Sequence, residues 1–69
     1  MDRRTRQGTL ISETIRQAQR PLTPAEVHSV ALKEIPNMGL ATTYRHVKAL
    51  TEQSIVVGVD YPGQPTRYE

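Results

Sequence analysis

The sequence predicts an α+β, mainly α fold: a winged helix-turn-helix, three helices followed by a two-stranded β-hairpin wing. Three observations predict it. Apolar residues recur at helical spacing in three successive segments. The second and third segments are joined by a short, breaker-rich turn, Pro36-Asn37-Met38-Gly39. A β-branched and aromatic stretch, IVVGVDY, follows the third and is closed by the turn sequence PGQP. At 69 residues the chain is read as one domain, residues 1–69. A domain this small buries only about 60% of the surface its unfolded chain exposes, so its core is modest.

Residues 1–4 are polar and charged and read as a basic arm. The first helix is placed at residues 5–19. Leu10, Ile11, Thr14, Ile15 and Ala18 fall on one face, with Arg16, Gln17 and Gln19 on the other. It stops at Arg20 because the residue before a proline disfavours helical backbone.

The second helix is placed at residues 24–35. Thr23 stands at the N-cap, Pro24 at the first helical position and Glu26 three residues after the cap, which is a capping box. Leu22 and Val27 are positioned to form a hydrophobic staple around it. Val27, Val30 and Ala31 supply the inward stripe, Lys33 and Glu34 lie outside, and Pro36 ends the helix.

The third helix is placed at residues 40–53. At about 100° per residue, Leu40, Thr43, Val47, Leu50 and Thr51 share the core side. Ala41, Thr42, Arg45, Ala49 and Glu52 lie opposite, His46 and Lys48 on the flanks, and Tyr44 on the border. The wing is placed at residues 55–69. Ile55, Val57, Val59 and Tyr61 take one side of its first strand, and TRYE forms the second. Tyr61 and Tyr68 are expected to pack the hairpin, which is too small to stand alone. The chain shows no internal repeat and no low-complexity tract.

Composition narrows the function classes. There is no cysteine, which removes disulfides, thiolate zinc sites and a thiol nucleophile together. No apolar run approaches the ~20 residues that span a bilayer, and the first residues lack the hydrophobic stretch of a secretory signal. A cytoplasmic protein with no membrane partner is the expectation. Ser12, Ser29 and Ser54 have no partner constellation for nucleophilic catalysis, so no enzyme is expected. His28 and His46 sit on different helices and read as helix-surface or partly packed residues. Nine Lys and Arg against seven Asp and Glu give a net charge of +2, a weak pull toward polyanions. The distribution says more: Arg3, Arg4 and Arg6 cluster at the start, and Arg45, His46 and Lys48 in the third helix.

The outward face of that helix combines short Ala41 and Thr42 with one long donor, Arg45. Small residues let a backbone approach a major groove, arginine reaches guanine edges or phosphates, and threonine bonds or touches a thymine methyl. An ordinary solvated helix, or a winged helix that docks on a protein, is the competing reading.

The run Gly39-Leu40-Ala41-Thr42-Thr43-Tyr44-Arg45 resembles the recognition-helix opening, Gly-Leu-Ala-Thr-x-Tyr-Arg, of the ferric uptake regulator family of bacterial metal- and peroxide-responsive repressors. LTPAEVH is similar to that family's second-helix start, with His28 where an aromatic is usual. ALTEQSIV is similar to its Leu-x-x-x-Gly-Leu/Ile-Val passage, with Ser54 in place of the glycine, and TRYE to the close of its wing. The resemblance spans roughly residues 3–69 and concerns the family's N-terminal DNA-binding domain.

It implies a sequence-specific DNA-binding transcriptional regulator, a repressor, with double-stranded DNA as partner and a homodimer on a palindromic site. It implies that Tyr44 and Arg45 meet bases and backbone, and that Arg3, ahead of Thr5, reaches a minor groove. Charge and the wheel add Arg4, Arg6, Ala41, Thr42, His46 and Lys48. Arg67 would touch a phosphate or pair with Asp60 across the hairpin. Two departures stand out. Gly8 replaces a usual arginine, and Pro21 and Leu22 occupy the region of a regulatory-metal histidine, leaving Glu69 as one matching ligand. One ligand does not hold a metal tightly, so no cofactor is expected in this chain.

Overall fold

The computed structural model describes residues 6–69; the assigned arm, with Arg3 and Arg4, lies outside the described residues. The order is α1 (Arg6–Ala18), α2 (Pro24–Ala31), α3 (Leu40–Glu52), β1 (Gly58–Val59) and β2 (Arg67–Tyr68). β1 and β2 pair antiparallel, Gly58 against Tyr68 and Val59 against Arg67. Three mutually packed helices carrying a small hairpin make the expected winged-helix architecture.

Apolar spacing in α1 places Ile11, Thr14 and Ile15 inside, with Leu10 and Ala18 against the same core. Thr14 is tolerated there because its hydroxyl donates to the Leu10 carbonyl at 2.8 Å. The helix stops at Gln19, whose φ of 58° is left-handed. α2 begins as its sequence dictates. Thr23 Oγ1 accepts from the Glu26 N–H at 3.2 Å, and Glu26 Oε1 accepts from the Thr23 N–H at 2.9 Å. Leu22 and Val27, on either side of the cap, are both buried in the core.

α2 is shorter than the expected residues 24–35. Past Ala31 the backbone tightens, with Lys33 N–H bonding Val30 O and Glu34 N–H bonding Ala31 O. The Ile35 N–H still reaches Ala31 O at 2.9 Å, so a last turn closes just ahead of Pro36. Val30, expected inward, is 43% exposed; Ile35 and Met38 from the connecting turn fill the core instead.

α3 buries Thr43, Val47 and Leu50. Leu40, expected in that stripe, is 43% exposed. A helical wheel treats a helix as endless, whereas residue 40 lies at its very tip, beyond the core. At the other end the Ser54 N–H bonds Thr51 O at 3.0 Å and the Ile55 N–H bonds Leu50 O at 2.9 Å. That is a Schellman closure, with Ser54 at φ 62° in the position glycine usually fills.

The wing departs most from expectation. Its regular strands are two residues each, not a ladder over residues 55–69, although the Val57 and Glu69 backbones also bond each other at 2.9 and 3.1 Å. Val56 is the buried residue, while Ile55, Val57 and Tyr61 are 52%, 60% and 41% exposed. Burial does not alternate along this stretch: Val56 is buried and Val59 half-buried, three residues apart, while Gly58 and Asp60 are exposed. Tyr61 belongs to the turn, where Pro62 and left-handed Gly63 (φ 72°) precede the Gln64 N–H bond to Tyr61 O. Tyr68 alone of the two packs on the core, its ring within 3.5 Å of where a Cβ on Gly58 would stand. The far side of β2 is also paired: Leu22 and Tyr68 exchange backbone bonds at 2.9 and 2.7 Å. This bridge fastens the wing to the segment entering α2.

Candidate nucleic-acid interface

The face of α3 turned from the core carries Leu40, Ala41, Tyr44, Arg45, Lys48 and Glu52 exposed, with Thr42, His46 and Ala49 half-buried. Burial of Thr43, Val47 and Leu50 fixes this orientation, so the outward set cannot rotate inward without emptying the core. The Arg45 guanidinium donates to Thr42 Oγ1 at 3.3 Å, one turn back. The two groups expected at base edges are thus held side by side on one flank. No acidic residue stands in the first turn of α3; Glu52 is at its far end. Gly39 is the N-cap and provides no side-chain cap, so the leading end of the helix remains open.

A shallow groove runs between α3 and the wing, lined by Tyr44, Arg45, Lys48, Thr51 and Tyr68 among others. Tyr44, Arg45 and Lys48 therefore share one concave surface with the wing. Arg6 and Arg67 are engaged elsewhere. Arg6 opens α1 and reaches the Glu34 carbonyl at 3.4 Å. Arg67 does not pair with Asp60, which instead accepts from Thr66 Oγ1 at 2.6 Å. Its partner is Glu26, at 3.3 Å, with Gln64 beside it. The carboxylate that Arg67 meets comes from the start of α2 and not from across the hairpin.

Glu26 was read as a cap alone and has a second task. Arg67 and, at 3.8 Å, Arg20 converge on it, linking the α1–α2 connection, α2 and the wing. The Thr23 backbone N–H bond holds its carboxyl below the usual range, and the Arg20 and Arg67 charges act in the same direction against partial desolvation. The capping-box motif located this residue in the sequence; the wing contact had no local signal. His28 was likewise missed as a clamp. Its Nε2 lies 2.8 Å from the Met38 carbonyl oxygen. A carbonyl only accepts, so Nε2 carries the proton.

The positions that the resemblance associates with a regulatory metal are held by Leu22 and Glu69. Leu22 is locked in the β-bridge, Glu69 offers one carboxylate, and among the described residues no three of His, Cys, Asp and Glu converge.

Comparison with the curated proteins gave no match. Among solved structures, the chain is similar to the Campylobacter jejuni peroxide stress regulator, with a TM-score of 0.81 and 28% sequence identity over 91% of this chain. That alignment spans 46% of the regulator's own length. The model of the ferric uptake regulator family matches residues 2–69. The match runs through the capping box, the Thr42–Arg45 face and the wing, and the chain belongs to the ferric uptake regulator family.

Proposed function

We propose that the chain is a sequence-specific DNA-binding module of a transcriptional repressor that reads the major groove with α3. The observation that carries this reading is the outward face of α3, where small Ala41 leaves room and Arg45, held against Thr42, projects with Lys48. Arg45 and Thr42 address base edges, Tyr44 a thymine, and Lys48 a phosphate, with His46 in support. Arg3, Arg4 and Arg6 supply a basic approach to the backbone. Arg67 reaches a phosphate on release from Glu26. So few phosphate contacts make a single copy a weak binder, and regulation takes two copies on a palindrome in the cytoplasm.

The test is to select duplexes from a randomised pool and titrate them with the chain and with Arg45→Ala. The variant should lose roughly 1–3 kcal/mol of affinity for the selected duplex and relax its preference at one base position. Wild-type affinity should fall with salt by about 0.9 log units per log unit for each phosphate contacted. Unchanged affinity in a folded Arg45→Ala chain would sink the assignment.

A second reading, a winged helix that docks on a protein, draws support from one observation: Ile55 and Val57 present exposed apolar side chains on the wing. It predicts no salt-dependent duplex binding and no selected sequence.

A further inference from the structure

We propose that Leu40, one turn ahead of Tyr44, is a specificity-determining residue that reads the 5-methyl groups of thymines in the major groove. This rests on the DNA-reading function proposed above. Leu40 is 43% exposed and Tyr44 51%, although Thr43, Val47 and Leu50 of the same helix are almost fully buried. Residues four apart on a helix are surface neighbours, so the two side chains form one continuous apolar strip on one flank of α3.

Each of the two side chains keeps about half of its surface open in the described structure. The residue before Leu40, Gly39, has no side chain, and a Cβ placed there would meet nothing within 4 Å. Ala41, beside it, adds little bulk. Leu40 therefore projects from the leading tip of the helix, the end that meets base edges when a recognition helix enters a groove. Isolated exposed leucines are common on protein surfaces and need no explanation. This one differs in being paired with an aromatic residue and flanked by Arg45 and Lys48, whose charge complements a duplex.

The occupant follows from chemistry. Thymine's 5-methyl is the apolar group that the major groove of unmodified DNA offers, and a leucine neither donates nor accepts a hydrogen bond. A strip of Leu and Tyr thus favours thymines at two nearby positions, while Arg45 and Thr42 take the polar edges beside them.

The probe is a duplex selected from a randomised pool by the wild-type chain, remade with deoxyuridine replacing thymidine at one position at a time. Deoxyuridine lacks only the methyl group. At the position Leu40 meets, the swap should weaken wild-type binding about fourfold. Leu40→Ala should bind the thymine and uracil duplexes alike there, with wild-type salt dependence and an unchanged melting temperature. Tyr44→Ala should lose discrimination at a neighbouring position and keep it at the Leu40 position. Full thymine preference in Leu40→Ala, or wild-type binding indifferent to every swap, overturns the proposal while leaving DNA reading intact. If the wild-type chain selects no sequence from the pool, both fall together.

Discussion

His28 Nε2 donates to the Met38 carbonyl at 2.8 Å, so a side chain from α2 holds the residue next to the N-cap of α3. The helix-turn-helix angle thereby depends on a contact that no helical pattern encodes. His28→Leu fills similar space but leaves the carbonyl without this donor, and should cost about 1–2 kcal/mol in a urea titration. His28→Gln retains an N–H donor and should recover part of that loss. Equal stability of the two variants would show that the bond contributes nothing.

Glu26 carries a pH dependence whose sign follows from its partners. Its folded-state pKa lies below its unfolded value, since the Thr23 N–H and two arginines favour the carboxylate. The stability it contributes is present above the unfolded pKa and is lost as pH falls through the folded one. Melting temperature should therefore decline on acidification below about pH 4.3, the ordinary glutamate value. Glu26→Gln keeps a capping-box residue while removing the charge. The acid limb of its melting profile should be shallower than wild type. An identical limb in both proteins would assign the decline to other carboxylates.

Ile11 is fully buried, with no exposed surface at the junction of the core. Ile11→Val should cost about 0.5–1.5 kcal/mol and Ile11→Ala about 2–5. A domain of this length is stable by roughly 3–10 kcal/mol, at 0.05–0.15 kcal/mol per residue. The first variant should melt cooperatively a few degrees lower, and the second lower still by a clearly larger margin, followed by circular dichroism. An Ile11→Ala melting temperature no lower than that of Ile11→Val would mean that the surrounding side chains collapse into the cavity.

These positions also divide what sequence reading reaches from what it misses. The Thr23–Glu26 box, the α1 stripe and the Pro62–Gly63 turn were legible because their partners lie within a few residues. Arg67 and Glu26 are 41 residues apart, and nothing local selects Glu26 over Asp60. Val56 faces inward because the Leu22–Tyr68 bridge fixes how the wing docks, and that bridge is equally remote in sequence. Leu40 escaped because its spacing suits the stripe while its place at the helix tip does not. On the candidate interface, the residue types of Thr42, Tyr44 and Arg45 were readable; the pairing of Arg45 with Thr42 and the exposed Leu40–Tyr44 strip came from the packing.

Ser54 ties a sequence departure to a backbone cost. It stands where the resembling passage has glycine, and it closes α3 at φ 62°. A side chain in the left-handed region costs roughly 1–2 kcal/mol relative to right-handed backbone, because Cβ crowds the following carbonyl. Glycine escapes that penalty but gives up about 0.5–1 kcal/mol to its greater freedom in the unfolded chain. The balance favours glycine, since both Schellman bonds, Ser54 N–H to Thr51 O and Ile55 N–H to Leu50 O, are made by the backbone and survive the substitution. Ser54→Gly should raise stability by up to about 1 kcal/mol, seen as a higher urea midpoint with an unchanged slope. Ser54→Ala keeps the Cβ and should not gain, which separates relief of strain from loss of the hydroxyl. A Ser54→Gly chain less stable than wild type would require the serine side chain to hold the α3 terminus by a bond of its own.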